Sequence, residues 1–189
     1  APYWVLDLGF PTRISAESSA LFPETAPKSS RIEYEFPAKG ARGPVQVVWR
    51  DGGLLPPKPV VLDAKWPPMS DGGQLWVGDQ GEILAGLYGQ TPRLLDPARQ
   101  DAVTKSPLAV KYPRTEGVYK EWIAACKGGT QPGSNFAGHA GPLTEMVLLG
   151  NLAVRLARPL ELDPATGAVT NTTVPAELVT PEYRKGWKL

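Results

Sequence analysis

The sequence predicts an α+β fold in which helices pack on one face of an open, mostly antiparallel β-sheet. Three observations predict it: polar and apolar residues alternate in the first half, Gly- and Pro-containing turns separate these segments, and two segments with helical apolar stripes come late. The chain has 189 residues, which is the size of one ordinary domain.

The composition indicates a globular domain with no strong electrostatic partner. Hydrophobic residues make up 42% of the chain, and the formal net charge is +1. Such a balance gives no long-range attraction for phosphate backbones, so we expect no nucleic acid partner. No apolar window is long enough to span a membrane, and no signal peptide is evident, which leaves cytoplasm and periplasm both open. With one cysteine and one histidine, neither a disulfide nor a metal is expected.

The first segment, "APYWVLDLG" at residues 1–9, predicts the last two turns of a helix closed by Gly9. It has no initiator Met and begins with several large apolar residues. We favour a piece of a longer protein whose helix starts upstream; a mature product cut at an Ala-Pro end is the alternative.

Strands are predicted next, because the apolar period changes from helical to alternating. In the second of them Ile32, Tyr34 and Phe36 share one face. A hairpin is predicted at 73–86, turning at 78–81, and an edge segment follows at 87–97. The tail at 159–171 predicts a hairpin-like pair. The first three strand segments are 12–20, 31–37 and 44–51.

Two helices are predicted in the second half. The first, at 115–127, ends at two glycines, and we interpret its stripe as buried, with Cys126 as a small core residue. The second runs from Pro142 to Arg158, and its many apolar residues predict burial on most sides. The stripe of the first helix consists of Val118, Tyr119, Trp122, Ile123 and Cys126.

Sequence motifs for catalysis are weak. The glycine-rich stretch at 78–89 lacks the strand, tight turn and helix of a dinucleotide-binding loop, so we interpret it as hairpin turns. A nucleophile pair of Ser134 or Cys126 with His139 is conceivable, but no strained elbow surrounds the serine. We therefore assign no catalytic residue and no cofactor-binding residue.

Five stretches together carry a family resemblance. They are "WRDGGLLPPKP" (49–59), "GDQGEILAGLYGQTPRLLDP" (78–97), "GVYKEWIAACKGG" (117–129), "SNFAGHAGPLTEMVLLGNLAVRL" (134–156) and "EYRKGWKL" (182–189). In this order they resemble the C-terminal domain of the glucose-fructose oxidoreductase/inositol dehydrogenase/MocA (Gfo/Idh/MocA) family, in its bacterial sugar-oxidoreductase branch. The similarity covers nearly the whole chain.

The resemblance implies that the cofactor and the substrate are bound by two different domains. Family members place an NAD(P)-binding Rossmann domain with a catalytic lysine first, and no such part is found in this sequence. Residues 1–189 would then be a single C-terminal substrate-binding and oligomerisation domain of a sugar oxidoreductase that uses NAD or NADP and no metal. We expect a homo-oligomer through the sheet face, because helices on one face leave another, apolar-bearing face to cover. A free-standing carbohydrate-binding or protein-interaction module without catalysis is the alternative.

Sugar recognition needs planar polar groups for hydroxyl pairs and aromatic faces for C–H groups. Side chains of these kinds occur at loops and strand ends, and each also has a structural interpretation. The candidates for substrate binding are Asn135, His139, Tyr88, Arg93, Trp49 and Asp51.

The structural interpretations differ between these candidates. Asn135 is as well explained by capping a turn, and Asp51 by stabilising the Asp-Gly-Gly turn. We slightly favour backbone pairing near the helix entrance for His139, where family members commonly carry an aromatic residue. Trp49 is typical of a core strand residue and Arg93 of an ion pair. Tyr88 is explained equally well as an exposed loop residue and as a sugar contact. Trp122 and Trp187 are assigned to packing.

Overall fold

A computed structural model describes residues 1–57, 72–106, 115–180 and 182–187. The chain divides into two compact units, each of which is described by itself: a core unit of residues 2–54 and 136–189, and a hairpin unit of Ala1 with residues 55–135. The ends of two stretches that carry the family resemblance, 58–59 and 188–189, lie outside the described residues.

The described elements confirm the α+β class. Every described strand pair is antiparallel, and the strands form two open sheets, one in each unit. In chain order the elements are α1 (Pro2–Val5), β1 (Arg13–Ser18), β2 (Ser30–Phe36), β3 (Val45–Arg50), β4 (Gln74–Gly78), β5 (Gly81–Ala85), β6 (Arg93–Leu94), α2 (Pro97–Lys105), α3 (Val118–Cys126), α4 (Gly141–Leu156) and β7 (Leu160–Glu161).

The sheet of the core unit has the strand order β3-β2-β1-β7. Its central strand β2 buries alternate residues, as the sequence predicts: Ile32, Tyr34 and Phe36 are all at most 5% exposed. Helix α4 packs on β1 and β2. Full burial of an aliphatic or aromatic side chain contributes roughly 1.5–3 kcal/mol, so this face is the main source of stability. The buried residues of α4 are Met146, Gly150, Ala153 and Val154.

The opposite face of the same sheet is charged. Arg13 reaches Glu35 at 3.2 Å and Glu161 at 3.1 Å across neighbouring strands, and Arg31 pairs with Glu33. The sequence predicts an apolar-bearing face here, and that prediction is wrong because the residues that alternate with the buried positions of β2 are the charged side chains of Arg31, Glu33 and Glu35. An exposed apolar sheet face therefore does not support homo-oligomerisation through the sheet, which stays a prediction.

Helices α1 and α4 of the core unit differ in detail from the predicted helices. Helix α1 is a single turn, and the chain leaves it through positive φ angles at Asp7 (48°) and Gly9 (73°). Helix α4 begins at Gly141 and ends at Leu156, where Ala157 adopts a left-handed conformation. The pairing of Leu162 with Val169 confirms the hairpin-like tail.

The hairpin unit contains the predicted hairpin. Strands β4 and β5 are joined at Asp79 and Gln80, and β6 adds an edge strand. Helix α2 was missed by the sequence analysis, although Asp96 caps it by accepting a hydrogen bond from the Arg99 amide at 3.1 Å. None of the described helices has the length and apolarity needed to cross a membrane.

The two helical stripes that the sequence predicts to be buried are partly exposed, so these predictions are wrong. On α3, Tyr119 is 82% exposed, Trp122 is 54% exposed and Cys126 is exposed. On α4, Val147 and Leu148 are about half exposed, so the helix is not covered on most sides. A periodic stripe shows which side chains share a face of a helix, but it does not show whether another element covers that face.

Candidate functional site

Asp51 and Trp49 come together at the end of β3. The Trp49 indole Nε1 donates a hydrogen bond to Asp51 Oδ2 at 3.0 Å. The same carboxylate accepts hydrogen bonds from the Ser30 amide at 2.5 Å and the Ser30 hydroxyl at 2.7 Å. Asp51 therefore ties the end of β3 to the start of β2, one residue before the Gly-Gly turn.

These donors also change the acidity of the carboxyl group. Partial burial alone would raise the pKa of Asp51, but hydrogen bonds from Ser30 and Trp49 outweigh it and lower the pKa below its ordinary value. Trp49 is 55% exposed, so its interpretation as a core strand residue is wrong. Its indole is instead oriented by Asp51 on the surface of the core unit.

His139 lies in an aromatic cluster that the sequence analysis did not anticipate. It belongs to a π-helical turn, Phe136–Ala140, that leads directly into α4. The imidazole centroid lies 5.7 Å from that of Trp4 and 6.2 Å from that of Tyr3, with the rings tilted by 50° and 54°. We use the name aromatic cluster for Tyr3, Trp4 and His139.

The aromatic cluster is partly open to solvent and lies near negative charge. Trp4 is 55% exposed, whereas Tyr3 is half-buried and packs against the core. Burial, followed by the negative charges of Glu145 and Asp7, raises the pKa of Tyr3, so its hydroxyl stays protonated and can donate a hydrogen bond. The cluster thus offers an aromatic face beside polar groups.

The remaining candidates belong to the hairpin unit. Tyr88 is 86% exposed, in a tight turn where its amide donates to Gln90 Oε1 at 2.8 Å. Arg93 lies in β6 opposite Leu84, with its side chain exposed. Both the amide and the side-chain Nδ2 of Asn135 donate to the Pro132 carbonyl, at 3.2 and 3.4 Å, so Asn135 does close a turn.

Within the core unit, the structure therefore joins Trp49 with Asp51 and gives His139 two aromatic neighbours. Trp4 is the residue that the sequence analysis missed, because it was grouped with the apolar end of a helix. A signal was present: Tyr3 and Trp4 are adjacent, and adjacent residues of a helix do not share a face. If one of them packs inward, the other points elsewhere.

The described residues contain no group of three His, Cys, Asp or Glu side chains placed to hold a metal ion. No protein-family model matches the chain, and no curated protein matches it significantly. The chemistry available at the aromatic cluster is stacking on the Trp4 ring, combined with hydrogen bonding by imidazole and phenol groups.

Proposed function

We propose that residues 1–189 bind and orient a sugar or sugar derivative for an NAD(P)-dependent oxidoreductase, with the dinucleotide bound mainly by a Rossmann domain outside these residues. Two things support this proposal. The five sequence stretches resemble the C-terminal domain of the Gfo/Idh/MocA family, and the core unit has the open antiparallel sheet with a helix on one face that such a domain requires.

The observation that carries the proposal is the contact between Trp4 and His139, whose ring centroids lie 5.7 Å apart. The C–H groups on one face of a sugar ring pack against an aromatic ring, while its hydroxyls need donors and acceptors at the edge of that ring. An exposed indole beside an imidazole provides both. The cluster is built on α1 and the entrance to α4, and α4 is fixed by the core.

In the proposed reaction this chain holds the sugar in position. A nicotinamide cofactor bound by the other domain would accept a hydride from a hydroxyl-bearing carbon of the sugar or, in the reverse direction, donate one to the corresponding carbonyl carbon. The protein must hold that carbon in reach, and correct placement alone removes a large part of the barrier. The alternative, a carbohydrate-binding module without catalysis, makes the same prediction for sugar binding and differs in lacking the cofactor domain.

The test is calorimetric titration of the chain with monosaccharides and, separately, with NADH. We expect sugar binding that Trp4→Ala weakens roughly threefold to tenfold, the effect of losing one aromatic contact. Trp187→Ala is the matched control, because Trp187 is also exposed but lies beside Arg184 near the C-terminal end. Micromolar binding of NADH together with no sugar binding would contradict the proposal.

A further inference from the structure

The sheet of the core unit ends on one side at β3. The outer edge of β3, the side that faces away from β2, pairs with no strand in the part of the chain that the structure describes. The whole of β3 is in continuous antiparallel register with β2, without a bulge. Residues 45–50, VQVVWR, contain neither proline nor lysine, which commonly protect such edges. The outer edge is therefore free to accept another strand.

The hydrogen bonds between β2 and β3 show which backbone groups lie on the outer edge. The amide of Asp51 donates to the Ser30 carbonyl at 3.1 Å, so these two residues form a hydrogen-bonded pair that continues the ladder. Hydrogen-bonded and non-hydrogen-bonded pairs alternate along an antiparallel ladder. The amides and carbonyls of Gln46, Val48 and Arg50 therefore point away from β2.

These backbone groups match a second copy of the same edge. When two β3 strands are antiparallel about a two-fold axis at Val48, Gln46 lies opposite Arg50 of the second copy and Val48 lies opposite itself. Each of these pairs exchanges amide-to-carbonyl hydrogen bonds. A shift of two residues would instead bring in Pro44, which has no amide hydrogen, or Gly52, which lies in a turn with a φ of 63°.

The apolar side chains of β3 also fit this pairing. Trp49 lies opposite Ile32 on the core face, yet it is 55% exposed, because α4 packs on β1 and β2, further into the sheet. In the two-fold pair Trp49 lies beside Val47 of the second copy, and aromatic with β-branched residues form favourable cross-strand pairs. Its indole leans along the strand toward Asp51, and therefore also toward Val45 of the second copy.

The charges on the other face favour a second copy as the occupant. Arg50 lies directly opposite Arg31 of β2, an unfavourable like-charge pair, and it forms no ion pair among the described residues. In the two-fold pair Arg50 lies opposite Gln46 of the second copy, whose neighbour on β2 is Glu35. Two strand spacings are about 9.5 Å, which extended arginine and glutamate side chains can span. Arg50 thus gains an opposite charge.

We propose that the chain forms a two-fold dimer in which the outer edges of two β3 strands pair and join the two four-stranded sheets into one. This inference goes beyond the proposed function, and it uses a different surface from the sheet face that the sequence predicts for oligomerisation. A strand edge with one exposed indole buries less than the roughly 1,200 Å² of a standard interface, so the dimer is weak and depends on concentration.

The first test is analytical ultracentrifugation of the chain from about 1 µM to about 1 mM, the range of weak association. We expect the average mass to rise toward that of a dimer. Val48→Lys places like charges opposite each other at the axis and should weaken dimerisation roughly tenfold. Ser15→Lys is the matched control, because it puts the same charge opposite the same residue, Glu33, but on β1. Circular dichroism checks that both variants fold.

The second test is cysteine cross-linking, which reports the register. In a Cys126→Ser background, Val48→Cys should cross-link to itself on mild oxidation, because the two α-carbons lie about 5.5 Å apart in the proposed dimer. Gln46→Cys, on the same face of the same strand, should not, because its two copies lie roughly 14 Å apart.

Three results overturn the inference. The first is a monomer over the whole concentration range. The second is a dimer that Val48→Lys leaves intact, or that Ser15→Lys weakens equally, since the latter indicates association through the sheet face. The third is equal cross-linking of the two cysteine variants, which rules out a two-fold axis at Val48.

Discussion

Tyr34 and Gly150 are in such close contact that no side chain fits between sheet and helix at this point. A β-carbon at position 150 would lie 2.8 Å from Cζ of Tyr34 and closer still to its hydroxyl oxygen. Tyr34 is 4% exposed, and burial raises its pKa to about 12. Glycine at position 150 therefore sets how closely α4 approaches β2.

Gly150→Ala should destabilise the protein by about 1–3 kcal/mol, the usual cost of overpacking a core. Tyr34→Phe removes the oxygen nearest to the new methyl group, so the double variant should recover part of the loss. Urea unfolding measures both effects. Gly43→Ala is the control, since nothing lies within 4 Å of a β-carbon there. Equal stabilities of wild type and Gly150→Ala would contradict the packing described.

Asp51→Asn should lower stability at neutral pH by about 1 kcal/mol, because an amide can satisfy fewer of the Ser30 and Trp49 donors. The pKa of Asp51 is lowered in the folded protein, so its contribution is present above the ordinary value of 3.8 and is lost as pH falls through the folded value.

The measurement is the difference in melting temperature between wild type and Asp51→Asn as a function of pH. It should be constant near neutrality and shrink below about pH 4. Asp101→Asn, on the exposed surface of α2, is the control. A difference that grows on acidification would show that the sign of the shift is wrong.

Cys126 should react with a thiol reagent in the folded protein, because it is exposed on α3. We expect one equivalent of thiol to react without denaturant, at a rate within roughly tenfold of that in urea. A buried cysteine reacts only through opening of the structure, which slows the reaction in proportion to the free energy of that opening. Protection of several orders of magnitude would restore the core interpretation.

Arg155→Lys should loosen the loop between β1 and β2. Lysine keeps the charge but cannot reach the carbonyls of Phe22 and Thr25 together, as the guanidinium does. Hydrogen exchange of amides at 19–29 should accelerate severalfold, while β2 remains protected. Arg158→Lys is the matched control, because Arg158 bonds to Thr172 instead. Unchanged exchange at 19–29 would show that Arg155 does not hold the loop.

Local pattern was enough to predict the strands. The alternation of Ile32, Tyr34 and Phe36 fixes which face of β2 is buried, since a shift of one residue would bury the intervening charges. The turn at Asp79 and Gln80 follows equally from its flanking glycines. These elements are determined within a few residues, and the sequence contains all the necessary information.

The candidate site could be predicted only in part, because it depends on contacts between distant segments. The hydrogen bond of Ser30 with Asp51 joins residues 21 positions apart, and the contact of Trp4 with His139 joins the two sequence segments of the core unit, 2–54 and 136–189. No local spacing indicates either. Exposure of α3 was missed for a related reason: amphipathicity predicts a face but not its partner.

The most direct test of the account is a two-dimensional NMR titration of the chain with a neutral hexose and with NADH. We predict that the indole resonance of Trp4 and the ring resonances of His139 move with the sugar along a saturable curve, while Trp187 stays unchanged and NADH moves none of them. Saturable shifts from NADH, with the Trp4 and His139 resonances unmoved by any sugar, would contradict the account.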